Sequence, residues 1–402
     1  MEIAFFSESY VPIRDGVAQQ VHALARRFQR MGHGVRVYTP SSTPGEPKTH
    51  TEVDGVPVVR VRSLPIPFYR EYRWGLFPMK DLRGEGFRDE VDVIHLHTPG
   101  ILGSTGFLAA RYFRKPLVGT FHTNVWEMRS SFPQSLPIRM FFRAARWYGQ
   151  GLYFRCDIAT APTEEGRRAL LVRARKPFRR EVQVVPNGIE IERFHPGIPV
   201  PDWRERCGLP SDPVVTFMGR LTADKGIHRF LDALSDLAPR RPFSAIIAGV
   251  GPEEANVRAR LRTDPQLAGR VRYIGPVAEE EKAALLAQSE LFVLPSTSDT
   301  SSVALLEAMA CGAACVASDQ GGPRDLIEND VNGRLVSVEA PGALSAAISD
   351  LLDDPAARGR IRGAAIEHVR RTASIDATAR KFISLYEQLI TEKGAHVTRN
   401  PG

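Results

Sequence analysis

Short runs of consecutive apolar residues alternate along the chain with longer stretches in which apolar positions return every third or fourth residue. These are the periods of a buried strand and of an amphipathic helix. Ile3-Ala4-Phe5-Phe6 is the first run. After a loop holding Pro12 and Gly16, Ala18, Val21, Leu24, Ala25, Phe28 and Met31 fall on one helical face, and Gly32 supplies the stop. Val35-Arg36-Val37-Tyr38 reads as the next strand. The unit returns with Val93-Ile94-His95-Leu96, a helix over 103–113, Leu117-Val118-Gly119-Thr120 and Val182-Gln183-Val184-Val185. Such alternation predicts a parallel sheet covered by helices on both faces.

A second series follows the proline-rich stretch Pro196 to Pro201, which reads as a linker. Val214-Val215-Thr216-Phe217-Met218 is a strand, and Ile227, Phe230, Leu231 and Leu234 mark the helix after it. Ala245-Ile246-Ile247-Ala248, Val271-Arg272-Tyr273-Ile274, Leu291-Phe292-Val293-Leu294 and Ala314-Cys315-Val316-Ala317 are further strands. Two doubly wound domains are expected, residues 1–195 and 196–374. A last amphipathic helix over 375–393, with Phe382, Leu385, Tyr386, Leu389 and Ile390 on one stripe, has no strand after it and can pack on either domain, the first included. Ligands of open parallel sheets bind at the carboxyl ends of the strands, so the chemistry is sought in the post-strand loops, in a cleft between the domains.

Composition narrows the class without naming a reaction. At 402 residues, 43% hydrophobic and 25% charged, the chain has the make-up of a folded globular protein, and fibrous or disordered architectures are excluded. Four cysteines (Cys156, Cys207, Cys311, Cys315) are too scattered for a disulfide framework or a C-x-x-C site, which fits a reducing cytoplasm. No basic leader precedes Ile3, and no apolar run nears the roughly 20 residues of a membrane span, so a protein neither secreted nor integral to a membrane is expected. Charge adds more. Residues 1–195 hold 29 Lys+Arg against 19 Asp+Glu, a net +10, whereas the remainder holds 24 against 27, a net −3. The first part should be drawn to a polyanion, whether lipid head groups or nucleic acid.

Several post-strand loops carry candidate chemistry. Pro12-Ile13-Arg14-Asp15-Gly16-Val17 runs from a strand into a helix, where a glycine lets backbone approach an anion closely; a plain turn is the equal alternative. Arg220 and Lys225, in Gly219-Arg220-Leu221-Thr222-Ala223-Asp224-Lys225-Gly226, are two fixed cations beside a helix start, suited to a diphosphate. A third loop, Ser296-Thr297-Ser298-Asp299-Thr300-Ser301-Ser302-Val303, opens a helix through Glu307. Asp299 and Glu307 stand eight apart; Glu307 is suited to paired sugar hydroxyls, with a helix cap and an ordinary helix residue as the plainer reading. His122, in Gly119-Thr120-Phe121-His122-Thr123, lies just past a strand end and reads as functional. His95 and His97 alternate with Ile94 and Leu96 and are assigned to packing.

Taken in order, these pieces resemble the retaining, GT-B-fold glycosyltransferases of family 4 across nearly the whole chain. They are the Gly16 loop, Thr-Phe-His-Thr, Val185-Pro186-Asn187-Gly188-Ile189, Gly-Arg-Leu-x-x-x-Lys-Gly, Ala248-Gly249-Val250-Gly251-Pro252, the acidic pair with seven residues between, and Gly321-Gly322-Pro323. The resemblance implies a nucleoside-diphosphate sugar held mainly by the second domain. Arg220 and Lys225 match residues that neutralise the diphosphate, and Glu307 the carboxylate that takes the ribose hydroxyls. Asp299, with Ser301, Ser302 and Val303 after it, matches the acidic residue and loop at the donor sugar and phosphate. Gly16, Gly249 and Gly251 fall in donor-binding motifs, and His122 matches the histidine beside the transferred sugar. The family works by front-face substitution, the departing phosphate oxygen deprotonating the acceptor. One departure stands out: the family's first acidic residue is usually glutamate, and Asp299 is a methylene shorter, which bears on the donor's identity. No D-x-D occurs, and no essential metal is expected, Arg220 and Lys225 taking its place.

The basic first domain bears on the acceptor. Arg139, Arg143 and Arg146 recur at spacings of 4 and 3, with Met140, Phe141, Phe142, Trp147 and Tyr148 interleaved, as in a helix lying on an anionic membrane. Phe68-Tyr69-Arg70-Glu71-Tyr72-Arg73-Trp74-Gly75-Leu76-Phe77 has a similar blend and reads as a loop, with Tyr69 and Trp74 as further anchors. Family members that glycosylate diacylglycerol or phosphatidylinositol carry similar stretches. The expectation is a hexosyltransferase, cytoplasmic and peripheral on the inner face of the cell membrane, acting on a lipid. The same chemistry on a soluble sugar or sugar phosphate is the alternative. No recognition helix or RNA-binding motif accompanies the charge, so no nucleic-acid partner is expected.

Overall fold

The computed structural model describes the chain apart from residues 14, 44–45, 67–68, 78, 83–85, 123–134, 173–177, 200–202, 301 and 400–402; at 66, 69–72, 79–80 and 395–399 it describes backbone alone. The chain forms two compact units. The first takes the N-terminal part through Gly188 and the segment from Ile375 onward; the second is essentially Ile189–Ser374.

Nine strands form the sheet of the first unit among the described residues. They are β1 (Glu2–Phe6), β2 (Gly34–Pro40), β3 (Thr49–Val53), β4 (Val56–Ile66), β5 (Tyr69–Leu76), β6 (Val93–Leu96), β7 (Leu117–Thr120), β8 (Ile158–Ala161) and β9 (Gln183–Val184). Their order is β3-β4-β2-β1-β6-β7-β8-β9, with β5 paired to β4. All pairings are parallel except β3 with β4 and β4 with β5. The period-2 alternation of side chains splits each central strand between two cores. Ile3 and Phe5 join Val21, Leu24 and Phe28 of the helix Gly16–Arg30 on one face, while Ala4 and Phe6 join Leu102 and Ala109 of the helix Ile101–Tyr112 on the other.

The helix Ile375–Arg399 completes the first face. Ile375, Ala379, Phe382, Tyr386 and Leu389 sit in the same core as Phe5 and Phe28, and Arg27 pairs with Asp376 at its first turn. The division between the units falls at Gly188/Ile189, upstream of the boundary read at residue 195. Ile189 and Phe194 are already core residues of the second unit, so the segment before the Pro196 to Pro201 stretch is packed structure; Val200 and Pro201 lie outside the described residues.

In the second unit six strands, β10 (Val214–Met218), β11 (Ser244–Ala248), β12 (Val271–Gly275), β13 (Leu291–Leu294), β14 (Ala314–Ser318) and β15 (Arg334–Val336), run in the order β12-β11-β10-β13-β14-β15. Every pairing is parallel. Val215, Phe217, Ala245, Ile247, Leu291 and Val293 face one core, and Ile246, Ala248, Phe292 and Leu294 the other. Unbroken apolar runs such as Leu291–Leu294 follow from burial on both sides.

Candidate active site

In the second unit the loops leaving β10, β13 and β14 lie against one another. Gly226 is in the left-handed region (φ 78°), and a Cβ there would stand 2.0 Å from the Pro295 carbonyl oxygen, so only glycine lets the two backbones touch. Thr297 N–H donates to the Asp224 carbonyl at 2.8 Å. This contact carries Lys225 to Asp299, with Nζ 2.9 Å from Oδ2. The other carboxylate oxygen accepts from the Ser302 N–H at 2.8 Å, and the Asp299 carbonyl accepts from the Gly322 N–H at 2.6 Å. Asp299 is thus the knot of three loops, one of them the Gly-Gly-Pro turn.

Ser302 itself is strained, at φ 43° and ψ 39°, a conformation that costs a serine on the order of 1–2 kcal/mol. Its hydroxyl is buried and, among the described residues, has no hydrogen-bond partner, and neither have the buried hydroxyls of Thr222 and Ser296 on the same two loops. Buried donors are rarely left unsatisfied. A polyanion rich in acceptor oxygens is the ligand that three such hydroxyls and Lys225 can serve, and the exposed Arg220 stands on the same loop as Lys225 and Thr222. Ser301 lies outside the described residues. Val303, half-buried, opens the helix Val303–Ala310.

Glu307 lies on that helix among Leu305, Leu306, Ala308 and Met309, all buried. Burial pushes its carboxyl up to about 7 against the opposing pull of the Lys282 ammonium. Lys282 and Arg193 both pair with Glu279, at 2.6 and 3.0 Å. These three surrounding charges were not singled out from the sequence; three glutamates in the first turn of the helix Glu279–Ala287 were the available signal. Gly249 and Gly251 have a packing reason as well: a Cβ on Gly249 would lie 1.8 Å from the Gly219 carbonyl oxygen, and one on Gly251 2.2 Å from that of Leu221.

In the first unit Gly16 is exposed at the start of its helix, behind the N-cap Asp15, whose side chain accepts from the Ala18 N–H at 2.7 Å. His122 follows β7 and is 7% exposed; burial pushes its imidazole down to about 4. Its Nε2 lies 3.0 Å from Nδ1 of His97. His97, assigned to packing, therefore touches the candidate site. Glu8, likewise overlooked, is buried after β1, and its carboxylate accepts from the Leu102 and Gly103 N–H groups at 2.7 and 3.3 Å. It caps the helix Ile101–Tyr112, whose own cap is Gly100, and burial pushes its carboxyl up.

The helix Leu136–Tyr153 has apolar residues on opposite sides. Phe142, Gly149 and Tyr153 are buried, whereas Leu136 (67%), Met140 (63%) and Trp147 (68%) project outward beside the exposed Arg139 and Arg143. Arg146 departs from the expected solvent-facing row: it is half-buried and donates to the Val172 carbonyl at 2.9 Å. The aromatic stretch read as a loop is largely strand β5, antiparallel to β4, with Trp74 opposite Leu64. Its alternating charges and aromatics hid a two-residue period. Trp74 is half-buried, and the side chain of Tyr69 lies outside the described residues.

Two family models match the chain, Glycosyltransferase Family 4 over residues 14–193 and Glycosyl transferases group 1 over residues 200–368. A GDP-mannose-dependent alpha-mannosyltransferase of Mycolicibacterium smegmatis is 31% identical over 355 residues, 88% of this chain and 89% of that protein. The chain belongs to the family 4 and group 1 glycosyltransferases. The phosphatidyl-myo-inositol mannosyltransferase of the same organism is 28% identical to this glycosyltransferase, covering 89% of the chain and 86% of the relative. Among solved structures, a sucrose-phosphate synthase from Thermosynechococcus elongatus superposes with a TM-score of 0.77 at 21% identity, covering 98% of this chain and all of that one. The fold is GT-B, with two Rossmann-like parallel sheets, and the enzyme transfers a glycosyl group from a nucleotide sugar.

Proposed function

We propose that this glycosyltransferase moves a hexose, with retention at the anomeric carbon, from a nucleoside-diphosphate sugar to a membrane lipid of the diacylglycerol or phosphatidylinositol type. The outward row Leu136, Met140 and Trp147, flanked by Arg139 and Arg143, carries the lipid reading. Apolar side chains beside cations suit an anionic bilayer surface, and one relative is named for a phosphatidylinositol acceptor. The donor reading is GDP-mannose, for which a relative at 31% identity is named. Among the described residues no helix is long and apolar enough to cross a membrane, and the attachment proposed is peripheral, on the cytoplasmic side.

In the proposed reaction the acceptor hydroxyl approaches the anomeric carbon from the side on which the diphosphate departs. The bond from carbon to phosphate oxygen breaks, the bond to the acceptor oxygen forms, and the departing phosphate oxygen takes the hydroxyl proton. Arg220 and Lys225 stabilise the charge that develops on the phosphate, with Ser301, Ser302 and the start of the helix at Val303 as further donors. Glu307 accepts the ribose hydroxyls. Asp299 holds Lys225 in place, Gly16 admits the donor phosphates, and His122 lies beside the sugar. No metal is required.

The test incubates the protein with labelled GDP-mannose or UDP-glucose and anionic vesicles holding diacylglycerol or phosphatidylinositol, with and without EDTA, and partitions the label between solvent and water. Label from GDP-mannose in the solvent phase, undiminished by EDTA, is expected. Label only in a new water-soluble product moves the acceptor to a soluble sugar, and loss of transfer in EDTA refutes metal independence.

A further inference from the structure

His97 stands one residue past β6, and its N–H extends the ladder by donating to the Phe6 carbonyl at 2.9 Å. The ring is 1% exposed, between the Phe5 ring at 4.5 Å and the His95 ring at 4.0 Å between centroids. Its Nδ1 lies 3.0 Å from Nε2 of His122, and its own Nε2 has no hydrogen-bond partner among the described residues. Burial holds both rings below the usual imidazole range, and the neighbouring His95 and His122 depress His97 further. Both rings are therefore neutral near pH 7, and one proton sits between the two nitrogens.

Two arrangements place that proton. If Nε2 of His122 carries it, His97 must carry its own proton on Nε2, a buried donor with no acceptor. If Nδ1 of His97 carries it, Nε2 of His97 is only a bare lone pair. Orphaned buried N–H groups are rarer and costlier than under-satisfied acceptors. We infer that His97 is a positioning residue whose Nδ1–H donates to Nε2 of His122 and so fixes His122 as the Nδ1–H tautomer. Nδ1 of His122 is then a hydrogen-bond donor, unable to abstract a proton. This rests on the placement of His122 beside the transferred sugar and deepens it: the histidine serves there as a fixed neutral ring and not as a base, and the acceptor proton leaves by another route.

The experiment reads the proton directly. In protein labelled with 15N-histidine, long-range 1H–15N spectra separate protonated from bare ring nitrogens, and His122→Asn identifies the His122 signals. The parent is expected to show Nδ1 protonated and Nε2 bare at His122. His97→Leu, of similar bulk, should collapse this into a tautomer mixture and lower kcat about tenfold with little change in the KM for donor, as removal of an orienting partner does. His97→Asn, which returns an N–H donor near the place of Nδ1, should restore the tautomer and recover most of the loss. A parent His122 protonated on Nε2, or an unchanged tautomer in His97→Leu, overturns the inference. The tautomer pattern as expected, with transfer and donor hydrolysis indifferent to both His97→Leu and His122→Asn, upholds the inference about His97 and refutes the placement of His122 beside the sugar.

Discussion

At the scale of single residues, Glu307 joins burial to pH. A carboxyl raised from 4.5 to about 7 binds a proton more readily in the folded than in the unfolded chain. Folding stability therefore falls as pH rises from about 4.5 to about 7, by on the order of 3 kcal/mol, and is level above that. Hydroxyl donors favour the opposite, ionised form, so a ribose bound to Glu307 binds more tightly as pH rises through 7. Donor dissociation constants measured from pH 6 to 8 should fall for the parent and stay flat, and weaker throughout, for Glu307→Gln. A parent profile as flat as that of the variant removes Glu307 from the donor. The identities of Asp299, Lys225 and His122 were legible as types in post-strand loops, and that of Glu307 on the helix one such loop opens. Their settings were not: Glu279 and Lys282 pair one turn apart on a single helix, but Arg193 and Glu307 reach them only through tertiary packing, and the partner of His97 lies one strand away and 25 residues along the chain.

Among the elements, the long apolar strands and the helices with a strong one-sided stripe were readable, because burial on both faces or on one leaves a clear period. Thr49–Val53, Val56–Ile66, Ile158–Ala161 and Arg334–Val336 were not: the first is a largely exposed edge strand, the second is broken by Pro57, Arg60 and Arg62, the third carries only one large apolar side chain in Ile-Ala-Thr-Ala, and the last is three residues long. The helix Leu136–Tyr153 was read as amphipathic, but its sequence does not say which apolar residues are core. Phe142 is core and Trp147 is not. That difference makes a clean test. Trp147→Ser together with Met140→Ser should reduce co-sedimentation with anionic vesicles at least tenfold, and Arg139→Glu with Arg143→Glu should abolish it, while the thermal midpoint moves little in either, since exposed positions contribute within about 0.5 kcal/mol. Vesicle binding that survives both pairs excludes this face as the contact.

Across the whole molecule, the alternation of strands and helices announced two doubly wound units, and the partition of charge followed it. The place where the chain passes from one to the other was hidden, because Gly188 is bound on both its N–H and its carbonyl by the Gln20 side chain, at 2.7 and 2.6 Å, which no local pattern records. The helix Ile375–Arg399 belongs to the first unit in spite of its position in the sequence. Phe382, 3% exposed, packs against His95 with the rings tilted and their centroids 5.0 Å apart. Phe382→Ala should cost the first unit about 3–5 kcal/mol, seen as an earlier urea transition of that unit; an unchanged midpoint means the helix is not part of its core.

That helix also orders events during synthesis. A ribosome delivers the chain from its N-terminus, so β1 to β9 emerge long before Phe382 and Tyr386, the side chains that close one face of their sheet. All six strands of the second unit lie in the single stretch Ile189–Ser374 and are at hand as soon as that stretch is made. The part translated first is the part finished last, and until translation reaches the final helix the nascent first unit presents Phe5, Phe28 and His95 uncovered, a surface for a chaperone to hold.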